Sequence, residues 1–321
     1  MLTSLAVVLI APAPAQAGTY KPPPGRVFTG VSGGLRASDY ARFASAVAHR
    51  PAVWQVFLTW DQDRGANPYL YLRARLADAR RLGARPMVHL STARQSGREY
   101  LSPQAVAMGR GDPYLLRVGS ELAGAGRPVY VRPYAEMNQA NNVYSAIGRG
   151  RSHSTKWFRR MFRRTVLILR GGPAAAINRR LAANRMPRLR TSAGELPAGR
   201  VAVVWCPQVS SDAWAYWPGA AYVDWVGTDF YSGFPNWSGL ASFYRRTARY
   251  RKPFALAELG IWQSGDRPGF ISALMRWARS HRRVRMVMYF QGNDPGGQFD
   301  IRRWPATRSA LRAAWRHPRF L

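Results

Sequence analysis

Two glutamates have the type and placement that cleavage of a glycosidic bond requires. Glu136 sits at the end of the apolar run Val129-Tyr-Val-Arg-Pro-Tyr-Ala-Glu-Met-Asn138, and Glu258 at the end of Pro253-Phe-Ala-Leu-Ala-Glu-Leu-Gly260. Only 16 of the 321 residues are acidic, so carboxylates at the mouths of two strand-like runs are not background. Two carboxyl groups facing each other across a sugar divide the work. One protonates the leaving oxygen, and the other attacks the anomeric carbon. On an extended strand, Arg132 and Tyr134 share the face of Glu136. A buried guanidinium near a carboxylate keeps it ionised, as a nucleophile must be. The acid needs its pKa raised, and a second carboxylate close by supplies that push.

Residues at other run ends can support this chemistry. Tyr231 shares a face with Gly227 and Asp229 and can hydrogen-bond the nucleophile. Trp205 can stack on a sugar face, and Gln208 can bind a hydroxyl. His89 ends a third run. Aromatic rings follow several runs: Trp60, Trp214, Trp217, Phe234, Trp237, Trp262 and Tyr289. Rings at such a mouth form platforms for the apolar faces of sugars, although some of these serve the core instead. The five histidines are scattered without H-x-x-H spacing, and G-x-S-x-G is missing. Metal chemistry and a Ser-His-Asp hydrolase are therefore not expected, and no cofactor is called for.

These residues can act together only if the ends of their runs are gathered. Eight strand-like runs occur, at Val27–Ser32, Ala52–Trp60, Arg85–Ser91, Pro128–Glu136, Val201–Gln208, Tyr222–Tyr231, Pro253–Gly260 and Val284–Gln291. Amphipathic stretches lie between them, among them Pro68–Leu82, Pro113–Ala125, Trp157–Leu169, Leu240–Tyr250 and Pro268–Arg282, and Thr307–Arg316 follows the last. Eightfold strand–helix alternation predicts a single-domain (β/α)8 TIM barrel of the α/β class. Chemistry in that fold sits at the carboxyl ends of the strands, where both glutamates fall. The Arg-rich stretch from about 149 to 200 is an insertion in the regular spacing. Its first part carries Phe158, Met161, Phe162 and Val166 on one helical face and Arg159, Arg160, Arg163 and Arg164 opposite. It reads as an outer barrel helix with a solvated back, followed by a second helix and a mobile loop.

Residues 1–17 read as a secretory signal, with Ala15-Gln-Ala17 fitting an A-x-A cleavage site, and 18–26 as a short extended leader. The chain is thus expected to be secreted, with no transmembrane segment, and to act as a monomer. Its single cysteine, Cys206, is expected to be buried and inert. The net charge of +32 comes almost wholly from arginine, since only Lys21, Lys156 and Lys252 are lysines. The charge reads either as a compositional bias on the solvated surface or as adhesion to an anionic surface such as a cell wall. No signature of specific nucleic-acid binding accompanies it.

Three ordered motifs carry a family resemblance. Arg132-Pro-Tyr-Ala-Glu-Met-Asn138 resembles the R-P-x-H-E-M-N signature of glycoside hydrolase family 26, the β-mannanase family with catalytic glutamates on strands four and seven. Trp217-Pro-Gly-Ala-Ala-Tyr-Val-Asp-Trp-Val-Gly-Thr-Asp-Phe-Tyr231 resembles its Y-P-G-x-x-Y-V-D-W-V-G-x-D-x-Y. Lys252-Pro-Phe-Ala-Leu-Ala-Glu-Leu-Gly260 resembles its K-P-x-x-x-x-E-x-G. The resemblance implies Glu136 as acid/base and Glu258 as nucleophile of a retaining endo-β-glycosidase acting on a polysaccharide of mannan type. Ala135 stands where the family has histidine. A glycan- or wall-binding protein on the same barrel, impaired in catalysis, is the alternative that Ala135 and the charge favour.

Overall fold

A computed structural model describes residues 18–34, 36–61, 70–263 and 265–321. The segment read as a signal peptide lies outside the described residues, as does Pro68 at the start of one expected helix. Eight parallel strands close into a barrel: β1 (Phe28–Ser32), β2 (Val53–Leu58), β3 (Arg85–Leu90), β4 (Val129–Pro133), β5 (Val201–Trp205), β6 (Trp225–Tyr231), β7 (Phe254–Gly260) and β8 (Val284–Phe290). Each pairs with its neighbour in sequence, and β8 closes on β1. The helices outside are α1 (Ala37–Val47), α2 (Leu70–Arg81), α3 (Pro103–Ala107), α4 (Asp112–Gly124), α5 (Thr155–Arg170), α6 (Ala174–Ala183), α7 (Trp237–Arg246), α8 (Pro268–Ser280) and α9 (Pro305–Trp315). The expected (β/α)8 barrel is the fold. The connection after β5 departs from the pattern. It runs through two 3₁₀ turns, Ser211–Tyr216 and Ala220–Tyr222, instead of an α-helix. Trp214 and Trp217 from these turns pack on Trp205 and Tyr250, so aromatic rings cover the barrel wall there.

Side-chain alternation sorts the strands into two cores. Phe28, Val53, Met87, Tyr130, Val204, Trp225, Met286 and Met288 fill the lumen. Residues of opposite parity, such as Val31, Val56, Val88, Val131, Val203 and Val226, pack beneath the helices. The leader seals the floor. The Trp225 indole donates to the Thr19 carbonyl at 2.6 Å, and the Tyr130 hydroxyl to the Tyr20 carbonyl at 2.6 Å. At the same end, the amide of Thr29 donates to the Leu321 carbonyl at 2.7 Å.

β4 stops at Pro133, three residues short of the expected end at Glu136. Tyr134 and Glu136 both have φ of 54°, left-handed backbone that a strand cannot continue through. α5 lacks the solvated back expected of it. Arg164 is fully buried, with Nε donating to Asp112 Oδ1 at 2.6 Å and Nη1 to the Pro187 carbonyl at 2.9 Å. Arg163 donates to the Pro218 carbonyl and to Asn184 Oδ1, each at 2.7 Å. These arginines clamp the inserted segment onto the barrel, and α6 is the second helix expected there.

Arg164→Leu should therefore leave the Asp112 carboxylate buried without its counter-charge. Removing one partner of such a pair costs about 3–5 kcal/mol. Urea denaturation should report that loss, and Arg164→Leu combined with Asp112→Leu should recover most of it.

Candidate active site

The site is built on a guanidinium. Arg132 is on β4, is 1% exposed and points into the lumen from the layer above Tyr130. Nη1 donates to Glu258 Oε1 at 2.7 Å, and Nη2 is paired with Asp229 Oδ2. Burial opposes the charge of Arg132, but Asp229 and Glu258 outweigh burial and its pKa is raised.

Glu258 accepts from three further donors. Gln55 Nε2 reaches Oε1 at 2.6 Å, Ser32 Oγ reaches it at 3.1 Å, and the Tyr231 hydroxyl reaches Oε2 at 2.7 Å. Every one of these neighbours donates, which is an arrangement that a carboxylate satisfies and a carboxylic acid does not. Glu258 reaches the lumen because of an irregularity in β7. Thr228 pairs with Leu256 and Asp229 with Glu258, so β7 holds one more residue than β6 over this stretch. Ala255 and Ala257 face the lumen, Leu256 and Leu259 face the helices, and the extra residue turns Glu258 inward.

Glu136 stands in the turn after β4. Its amide donates to the Cys206 carbonyl at 2.7 Å, and its own carbonyl accepts from Asn142 Nδ2 at 2.8 Å. Asn138, two residues on, pairs with the backbone of Gln208: its Oδ1 accepts from the Gln208 amide at 2.9 Å, and its Nδ2 donates to the Gln208 carbonyl at 3.0 Å. That pairing holds the Gln208 side chain where Nε2 donates to Glu136 Oε1. Burial, then the nearby charge of Glu258, raises the pKa of Glu136 against the pull of Arg132. Burial raises that of Asp229 as well, against the pull of Arg132. Asp229 accepts from Arg132 Nη2 and, at 3.5 Å, from Cys206 Sγ.

Above these groups lies a cleft of about 360 Å³, lined by Glu136, Gln208, Asp229, Tyr231, Phe234 and Trp262 among others. Trp262 stands edge-on to Tyr231, with centroids 5.1 Å apart, and to Phe299 at 5.2 Å. Phe234 is 65% exposed at the rim. The structure thus brings together Glu136, Glu258, Arg132, Gln208, Tyr231 and Trp262. His89 faces the lumen next to Arg132 in register and packs edge-on to Phe57 at 5.0 Å. Burial, then Arg132, pushes its pKa well below 6.5, so the ring is neutral.

Trp205 and Tyr289 lie elsewhere. Both have outward parity on their strands and are 0% exposed beneath the helices, Trp205 edge-on to Trp217 and Tyr289 stacked on Phe43. Neither can touch a ligand in the cleft. Tyr134 also turns outward and meets Thr165 Oγ1 at 2.8 Å, because the left-handed turn ends the alternation that linked it to Glu136. Of the rings expected at the mouth, Phe234 and Trp262 line the cleft, whereas Trp60 is buried and stacked on Tyr114. Sequence reasoning left Ser32, Gln55 and Asn138 out of the site. Gln55, a lone amide inside the apolar run Val53–Leu58, carried a signal that could have found it. Among the described residues, no group of three or more His, Cys, Asp or Glu is placed to hold a metal ion.

The model of glycosyl hydrolase family 26 matches residues 199–294. The family 26 resemblance is borne out. The matched segment includes the second and third of the three motifs, Trp217–Tyr231 and Lys252–Gly260. The matched segment holds Glu258, Asp229, Tyr231, Gln208 and Trp262, while Arg132 and Glu136 precede it. A comparison with curated proteins finds no match. Among solved structures, the Bacillus subtilis mannanase BCman is 19% identical with a TM-score of 0.63, over 95% of this chain and 89% of that one. A family 26 β-mannanase from Bacteroides ovatus is 15% identical with a TM-score of 0.64, over 92% and 90%. A modular endo-β-1,4-mannanase from Cellulomonas fimi is 15% identical with a TM-score of 0.63, over 93% of this chain and 72% of that one. At these identities the likeness is one of fold.

The amide of Gln208 favours the ionised form of Glu136. Gln208→Leu should raise the Glu136 pKa further, since a donor to the charged form is lost. Carbon-13 NMR titration of side-chain-labelled glutamate should place the Glu136 midpoint at higher pH in the variant, and an unmoved midpoint would contradict the geometry.

Proposed function

We propose that the chain is a secreted, retaining endo-β-glycosidase acting on a β-linked polysaccharide, with mannan-type polymers as the first substrates to try. The observation that carries this reading is the pairing, under one cleft, of a donor-surrounded Glu258 with a Glu136 whose pKa burial and the charge of Glu258 raise. Glu258 is the nucleophile: it attacks the anomeric carbon and forms a glycosyl-enzyme. Glu136 gives its proton to the departing oxygen, then takes one from the water that releases the sugar. Arg132 and Tyr231 hold the oxygens of Glu258 in place. When Glu258 becomes neutral in the glycosyl-enzyme, the electrostatic push on Glu136 weakens, which suits its switch from acid to base. Trp262 and Phe234 offer rings to the sugar chain. The mannan assignment rests on the family resemblance and on the mannanases among the similar solved structures, and export rests on the sequence of residues 1–17.

Cleavage requires Glu136 protonated, and its pKa is raised. The alkaline limb of the kcat/KM profile should therefore lie above the ordinary glutamate value of about 4.3, with activity falling as pH rises through it.

A screen of mannan, xylan and mixed-linkage glucan for released reducing ends tests the activity. Glu258→Ala should abolish turnover on every substrate, with azide restoring a product of inverted configuration. Glu136→Ala should lose about 10²–10⁴-fold on polysaccharide. On an activated aryl glycoside it should show a burst, because the leaving group departs unaided while the second step lacks its base. Near-parental activity in both variants would remove the assignment. A parent that binds a β-glycan but cleaves none would establish the impaired-scaffold alternative.

A further inference from the structure

The arginines are not spread evenly over the barrel. Seven of the eight strands begin with a basic residue or have one within the three positions before them; β6, preceded by Asp224, is the exception. Arg26, Arg50, Arg85, Arg127, Arg200 and Arg283 are examples at six of them. Within the three positions after each strand's carboxyl end there is no arginine or lysine at all. A bias that put basic residues at 48 of 321 positions regardless of place would populate both ends. The helices also end at the floor, and arginine in a last helical turn is explained by the helix dipole. Strand ends have no comparable dipole, so the strand arginines need another cause.

These side chains are held but not neutralised. The Arg85 guanidinium lies 5.0 Å over the Phe28 ring, and that of Arg200 5.3 Å over Tyr20. Arg285 Nη2 donates to the carbonyls of Pro22 at 2.5 Å and Pro23 at 2.6 Å. Among the described residues, none of Arg85, Arg127, Arg200 and Arg285 has a carboxylate within 4.0 Å. Partial burial, then the positive charges of Arg85 and Arg80, lowers the pKa of Arg127, and partial burial with Arg319 does the same for Arg285. The floor therefore carries like charges close together, a cost that a bound anion would remove.

We infer that the floor of the barrel is a docking surface for an anionic polysaccharide, a polymer with repeated carboxylate or phosphodiester charges. Charge complementarity selects the class, and among the described residues the floor carries no large exposed hydrophobic of the kind that would favour a bilayer. The large exposed hydrophobics, Leu70, Met108, Ile147, Phe234 and Trp237, lie on the mouth side or in the loops leading from it. Docking by the floor leaves the catalytic cleft facing away from the anchoring polymer and open to a second, neutral glycan.

The test compares two triple variants with the same change in net charge. Arg85→Gln/Arg127→Gln/Arg200→Gln removes floor charges. Arg98→Gln/Arg110→Gln/Arg149→Gln removes exposed charges on the mouth-side loops. Each protein is loaded on immobilised polygalacturonate and on immobilised poly(glycerol phosphate), then eluted with salt. The parent and the mouth variant should be retained on at least one of the two, and the polymer that retains them identifies the charge type. The floor variant should elute at lower salt, with the dependence of log K on log salt reduced by about one unit for each arginine that contacts the polymer. Thermal melts of both variants check that the fold survives; if the floor triple unfolds, the single variant Arg200→Gln, whose residue is exposed, takes its place. Equal elution of floor and mouth variants would overturn the inference. So would retention of the parent on duplex DNA or anionic vesicles but on neither polysaccharide. None of these readouts needs turnover, so the inference can fail while the glycosidase reading stands.

Discussion

A guanidinium cut off from water sits between two carboxylates near the top of the barrel, and the rest of the site follows from satisfying it. Burying Arg132 without compensation would cost far more than any single packing contact returns. Asp229 and Glu258 compensate it, one on each amino group. That fixes β4, β6 and β7 relative to one another, because the pairing works only if all three side chains meet in one plane of the lumen. Gln55 and Ser32 extend the network to β2 and β1, with Gln55 Nε2 also donating to Ser32 Oγ at 2.6 Å. Five of the eight strands are thus tied to a single charge. Glu258 is oriented by these bonds before any sugar arrives, which is the preorganisation that catalysis by electrostatics depends on.

Two local departures from regular backbone aim the glutamates. The extra residue in β7 turns Glu258 from the helix side to the lumen. The left-handed conformations at Tyr134 and Glu136 end β4 and send neighbouring side chains in opposite directions, the phenol outward to Thr165 and the carboxyl toward the cleft. Left-handed backbone at a residue other than glycine costs about 1–3 kcal/mol at each position. Backbone hydrogen bonds from Tyr134 to the Leu90 carbonyl, at 2.8 Å, and from Glu136 to the Cys206 carbonyl, at 2.7 Å, hold the turn against that cost. Ala135 between them is 3% exposed, and its carbonyl accepts from the Tyr144 hydroxyl at 2.7 Å.

The same departures mark where the sequence could and could not be read. The strand runs, their order and the clustering of chemistry at their carboxyl ends were legible, because each depends on patterns spanning many residues. Arg132 with Glu136 was legible as a pair, but for an incomplete reason: strict alternation would have brought Tyr134 along, and the turn does not. Glu258 falls on the helix-facing parity of its run, and only pairing with β6 reveals the residue that corrects it. Trp205 and Tyr289 were misplaced for a related reason. An aromatic residue near a strand end suits a cleft or the layer beneath the helices equally, and parity decides between them once the register is known. Gln55 and Ser32 carry no motif of their own. Their value comes from facing Glu258 across the barrel, more than 200 residues away in sequence.

In a chain this poor in acids, where each carboxylate goes is itself informative. Eight of the 16 acidic residues pair with arginines among the described residues. The deepest of these compensate arginines that water cannot reach: Asp112 for Arg164, and Asp229 with Glu258 for Arg132. Buried positive charge has no substitute for a carboxylate, whereas half-exposed positive charge can be met by solvent and salt. The acids therefore concentrate where desolvation is greatest, and the arginines at the strand starts are left to water. The result is a polar molecule in the literal sense. Its catalytic end carries compensated charge packed around one guanidinium, and its opposite end carries uncompensated charge over a sealed floor.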